Sequence, residues 1–138
     1  MKTTLRTLRS IAVRTAILLG FDLGVLWTLY HFDNSPDANI GAGLLTFAGI
    51  MMLCGLGGLY DGWRRGFGRV AVTWSATAVL TAIGMIALFD PALPINVDVF
   101  LSDLRDSGGF LIALFTIPAL LGGGLGALLR SGSHRPAQ

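Results

Sequence analysis

Four long apolar runs, Ile11 to Tyr30, Ile40 to Tyr60, Val70 to Phe89 and Gly108 to Leu129, alternate with short polar breaks along the chain. Each is about 20 residues long, the length a helix needs to cross the hydrocarbon core of a bilayer. The breaks differ in charge. Met1 to Ser10 carries Lys2, Arg6 and Arg9, and the break Tyr60 to Arg69 carries Arg64, Arg65 and Arg69. The turn His31 to Asn39 holds Asp33 and Asp37 but no Lys or Arg, and Asp90 to Ser107 holds four Asp against Arg105 alone. Loops kept in the cytoplasm carry the basic excess. Nine of the ten Lys and Arg residues fall on one side if the runs are spans, with Arg130 and Arg135 after the fourth run among them. Four spans with both termini cytoplasmic satisfy that asymmetry, and Arg64, Arg65, Arg69 and Arg130 are its determinants.

The first run resembles a secretory signal in order, a basic start followed by an apolar stretch. Asp22 interrupts it, and no small-x-small cleavage site follows near Asn34 to Asn39. It is therefore read as an uncleaved first span. Within Asp90 to Ser107, the residues Val97, Phe100, Leu101 and Leu104 share one helical face, and Asn96 is placed to cap it. A short amphipathic helix on the outer surface is expected there. Residues 130–138 are read as an unstructured tail. The fold class is all-α: a single polytopic domain, a bundle of four transmembrane helices with that outer helix.

Composition agrees with the pattern. The chain is 53% hydrophobic and 13% charged, with a mean hydropathy of +0.68, against about 25% charged residues in ordinary soluble domains. Its net charge is only +2, and the arginines cluster beside spans and do not line a groove, which makes nucleic acid a poor partner. The implied partners are the lipid bilayer and other transmembrane helices, and the implied location is a bacterial inner membrane. Cys54 stands alone in the chain, so no internal disulfide forms, and its place in an apolar run fits a small packing residue.

Candidate chemistry is sparse. Asp22 is the acid deep within a span, near the bilayer midplane, at a cost of about 2.5 to 3.5 kcal/mol on insertion scales. It must face protein: either it serves a proton, a cation or a partner subunit, or it is simply protonated or bonded to a hydroxyl such as Thr73, Ser75 or Thr77. Arg14 either reaches inward towards it or extends to the interface. Glycine is abundant, at 19 residues. Gly20 with Gly24, Gly58 with Gly62 and Gly122 with Gly126 each form a G-x-x-x-G pair, which lets helix backbones approach closely, within one bundle or between subunits. Pro118 sits inside the fourth run, where it frees a carbonyl and bends the helix, as simple shape or as a hinge. His31 with Asp33 and Asp37 is a weak metal set. No catalytic, nucleotide or cofactor motif is present, and no metal site or cofactor is assigned.

The stretch Gly58 to Phe67 followed by an apolar span resembles the Arg-Gly hinge of the colicin V production family of small multi-span bacterial membrane proteins. The likeness ends there, because the first helix ahead of this hinge does not match in order, and no functional residue is carried over from it. The expected function is that of a non-enzymatic membrane protein acting by helix packing, as an accessory or assembly subunit or a homo-oligomer. The alternative is a small channel or transporter using Asp22 and the Pro118 bend.

Overall fold

The computed structural model describes residues 2–32, 36–89 and 96–132. These form four helices: α1 (Lys2–Phe32), α2 (Pro36–Arg65), α3 (Phe67–Phe89) and α4 (Val97–Gly132). Each contains a stretch long and apolar enough to cross a membrane. The solvent-excluded and outward surfaces are inverted relative to a soluble protein. Large apolar side chains such as Leu45, Met52, Val72 and Leu121 lie outward, while Asp22, Asp61, Thr73, Thr77 and Thr81 are buried. An apolar exterior of this extent fits a surface that meets lipid or another protein rather than water.

Several boundaries differ from the sequence expectation: α1 begins at Lys2, ahead of the apolar run, and α2 begins at Pro36, inside the expected turn His31 to Asn39. The break between the second and third runs is one residue, Gly66, because α2 continues through Arg65 and α3 starts at Phe67. Gly66 has φ +80°, and its N–H donates to Gly62 O at 3.1 Å, closing α2 with a left-handed cap. A residue with a Cβ would be strained there by about 1 to 2 kcal/mol. Val97 to Leu104, expected as a separate outer helix, is the first part of α4. Gly108 and Gly109 do not break it, since glycine weakens a helix interior by only about 1 kcal/mol each, and Leu104 lies 3.0 Å from where a Gly108 Cβ would sit. Asn96 does cap this helix: its Oδ1 accepts from Asp98 N–H at 3.0 Å. At the other end α4 runs to Gly132, so residues 130–132 of the expected tail are helical. The remainder of that tail, with Asp33 and Asp90, lies outside the described residues.

The bundle is held by unequal contacts. In the most apolar stretch of α3, 44% of residues are buried, against 11% in α1, so α3 is central and α1 peripheral. Leu18, Ile50, Cys54, Val70, Trp74 and Phe115 lie in the common core. Two α3 hydroxyls satisfy themselves within their own helix, Thr73 donating to Arg69 O at 2.7 Å and Thr77 to Thr73 O at 2.8 Å.

The closest approach is between α2 and α4, which run parallel and meet backbone to backbone. A Cβ on Gly58 would overlap the Ala119 carbonyl, one on Gly62 the Gly123 carbonyl, one on Gly122 the Gly55 carbonyl, and one on Gly126 the Leu59 carbonyl. Main chain cannot move aside as a side-chain tip can. Gly20 and Gly24 on α1 have nothing within 4 Å of the same position. Gly122→Ala or Gly58→Leu is therefore expected to lower stability by about 3 kcal/mol or more, and Gly24→Ala, at an open mid-helix position, to leave it unchanged or raise it by up to about 1 kcal/mol. Unfolding by detergent titration in mixed micelles reads the difference, and equal effects at Gly122 and Gly24 would contradict the contact.

Candidate functional site

Two polar features lie inside the bundle. The first is an ionic cluster where the start of α1, the end of α2 and the start of α3 converge. Asp61, 3% exposed in the last turns of α2, is its hub. Its Oδ2 pairs with Arg14 Nη2 from α1 and accepts the Trp74 indole N–H from α3 at 3.0 Å. Its Oδ1 faces Arg65 Nε at 3.7 Å, one turn along α2. Arg14 also lies over the Trp74 ring, 5.2 Å from its centroid, in the geometry of a cation–π contact. Gly57 makes room for this ring, since a Cβ there would stand 2.6 Å from it. One carboxylate thus ties three helices together. Arg65 adds a bond from Nη1 to Ser10 Oγ at 3.3 Å, back to α1.

Arg14 therefore turns to Asp61, not to Asp22. Its Nη1 is buried without a hydrogen-bond partner, so the guanidinium is only partly satisfied. A groove of about 480 Å³ opens beside it, lined by Ile17, Leu53, Leu56, Tyr60, Arg65 and Trp74 among others.

The second feature is Asp22 on α1. It is 5% exposed, and neither carboxylate oxygen has a hydrogen-bond partner among the described residues. The hydroxyl partners expected for it are engaged elsewhere or turned away: Thr73 and Thr77 donate to their own helix, and Ser75 is exposed. Cys54 on α2 is within electrostatic range. The Thr81 hydroxyl on α3 is likewise buried and unpartnered. A carboxyl in such a place requires a proton, a counter-charge or a polar group from beyond these residues.

The other sequence candidates fall as follows. Gly58, Gly62, Gly122 and Gly126 lie in the α2–α4 contact, joined by Gly55 and Gly123; Gly20 and Gly24 lie on open surface. Pro118 is buried within a continuous α4, its carbonyl 3.8 Å from a Cβ on Gly55. Arg64 is exposed and reaches the Tyr60 hydroxyl at 2.7 Å. Arg69 and Arg130 are exposed at the same end of the bundle as Arg64 and Arg65. His31 Nδ1 is 2.9 Å from Trp27 O. No group of three metal-ligating side chains occurs among the described residues. Sequence reasoning missed Asp61 and Trp74. The available signal was that Asp61 is the one acid set among Arg14, Arg64, Arg65 and Arg69 at the basic end.

No family model, no curated protein and no solved structure matches the chain.

Removing one member of a buried ion pair leaves the other uncompensated. Asp61→Asn is expected to lower stability by about 2 to 4 kcal/mol, the range reduced because Arg14 borders an open groove. Arg14→Gln combined with Asp61→Asn should recover part of that loss. A double-mutant cycle in mixed micelles that shows simple additivity would refute the pair.

Proposed function

We propose that this chain is a non-catalytic, multi-pass protein of a bacterial inner membrane, both termini in the cytoplasm, that works by presenting α1 to another transmembrane helix. The partner helix belongs to a second copy or to another subunit of a membrane complex. The observation that carries this reading is the contrast between its glycines. Gly58, Gly62, Gly122 and Gly126 are consumed in the α2–α4 contact, whereas the equally spaced Gly20 and Gly24 stand open on α1, the most exposed helix. Val13, Ile17 and Trp27 flank them on the same exposed face. In lipid, helices associate through close packing at small residues, since apolar side chains gain little by leaving the acyl chains. The basic clustering at one end supports the orientation.

In a Cys54→Ser background, Val13→Cys, exposed on that face and outside the Arg14 groove, is expected to cross-link in native membranes. Copper-catalysed oxidation captures a second copy, and a thiol-anchored photo-cross-linker captures a different subunit. Gly24→Leu should suppress either product, and Val72→Cys, on the exposed face of α3, should give none. Monomer alone under both chemistries would reject the reading.

A second reading, a small channel or transporter, is favoured by one observation: the buried carboxylate of Asp22, which has no hydrogen-bond partner among the described residues. Here Asp22 holds a proton or small cation, and the Pro118 segment of α4 supplies a bend. This reading predicts proton or cation flux in proteoliposomes that Asp22→Asn abolishes. Flux equal in the two proteins removes it.

A further inference from the structure

Arg65 is where two cavities meet. The groove beside Arg14 lies on one side of it, and on the other is a cavity of about 490 Å³ lined by Arg6, Thr7, Arg65, Gly68, Arg69 and Thr73. The two linings together hold four guanidiniums, those of Arg6, Arg14, Arg65 and Arg69, against the single carboxylate of Asp61. Three positive charges are left over. Asp61 spends its closest contacts on Arg14 and Trp74 and stands 3.7 Å from Arg65, whose side chain is 44% exposed. The surplus is therefore concentrated at Arg6, Arg65 and Arg69, around the mouth of the second cavity. Gly68 and Arg69 also belong to the first turn of α3, ahead of the bond from Val70 N–H to Gly66 O that opens the helix. Amides in that turn lack helical acceptors and point towards any anion lodged before them.

The first groove is different in kind. Ile17, Leu53, Leu56 and Tyr60 are exposed apolar residues along the gap between α1 and α2, leading from Arg65 towards the middle of the bundle. An anion-binding rim joined at one residue to an apolar furrow matches a ligand with a charged head and a hydrocarbon tail. Arginine pairs suit phosphate oxygens through bidentate bonds, and basic pockets between transmembrane helices suit anionic headgroups.

We propose that the two cavities bind one anionic phospholipid, its phosphate held by Arg6, Arg65 and Arg69 and one acyl chain laid along Ile17, Leu53 and Leu56. Free phosphate would leave the apolar furrow unused. A zwitterionic lipid would bring no net charge to meet the surplus. This inference rests on the membrane reading and not on the docking of α1.

The test uses the full chain, delipidated in a non-ionic detergent, with retained lipid measured by native mass spectrometry. Phosphatidylglycerol is expected to bind in preference to phosphatidylcholine by roughly tenfold or more. The double variant R6Q/R69Q should bring the two lipids near parity, since both residues lie outside the Asp61 hub. The double variant R9Q/R64Q removes the same charge from the same end but from outside both linings, and should keep the preference. Unfolding in mixed micelles confirms that each variant folds. For the tail, W27F/W63F leaves Trp74 as the sole indole, and phosphatidylglycerol with brominated chains should quench it more than phosphatidylcholine with the same chains. Equal binding of the two lipids overturns the proposal, as does an equal loss in both double variants. Displacement of phosphatidylglycerol by inorganic phosphate at matching concentration shows an anion site alone and overturns the assignment to lipid.

Discussion

The backbone contact between α2 and α4 is the constraint from which the rest of the bundle follows. Apolar side chains gain little by leaving acyl chains for one another, so a membrane bundle must obtain its cohesion from short distances and satisfied polar groups. Gly55, Gly58 and Gly62 on one helix and Gly122, Gly123 and Gly126 on the other keep their own positions free of a Cβ, and carbonyls of each helix lie against the other's main chain. With that pair set, α3 packs across it through Val70 and Trp74, and Thr73 and Thr77 bond within α3 without asking anything of a neighbour. Small and polar groups inside, large apolar groups outside, is the arrangement this solvent imposes.

α1 is attached by another principle. It meets the bundle through side chains: Phe21 on Gly49, Leu19 against Gly84, and above all Arg14 on Asp61. A buried ion pair is weak evidence of stability, because desolvating two charges offsets much of their attraction. It is better evidence of register. Asp61 can satisfy Arg14 and the Trp74 indole together only if α1, α2 and α3 stand at one relative height, and sliding α1 by a turn, about 5.4 Å, would leave both charges unpaired.

The parts of this arrangement that were legible in the sequence are those set by local chemistry. Run length gives the helices, an Asn ahead of an amphipathic stretch gives the α4 cap, and hydroxyls at helical spacing give the bonds back to Arg69 and Thr73. What spacing cannot give is which face meets which. Gly20 and Gly24 have the same separation as Gly122 and Gly126, yet one pair is open and the other is closed against main chain. The Arg14–Asp61 pair spans 47 positions, so no periodicity reveals it. Gly66 was hidden for the opposite reason. A Gly-rich basic stretch reads as a loop of ten residues, but one glycine with positive φ reverses the chain, and the flanking arginines remain helical.

These two modes of attachment also explain why most of the unsatisfied groups, Thr81 on α3 and Thr116 on α4 apart, fall on one helix. A helix fixed by glycine contacts has its backbone against its neighbour and little space for polar side chains between. A helix fixed by side chains stands further off, and the gap it leaves is what the Arg14 groove occupies. Asp22, the Arg14 Nη1 and the Thr15 hydroxyl, all on α1, are buried without partners. Each is a group whose cost in a bilayer falls when a polar ligand, a proton or another chain supplies what the bundle does not. The α2–α4 pair thus forms the rigid frame, and the chemistry left open to the surroundings lies along α1.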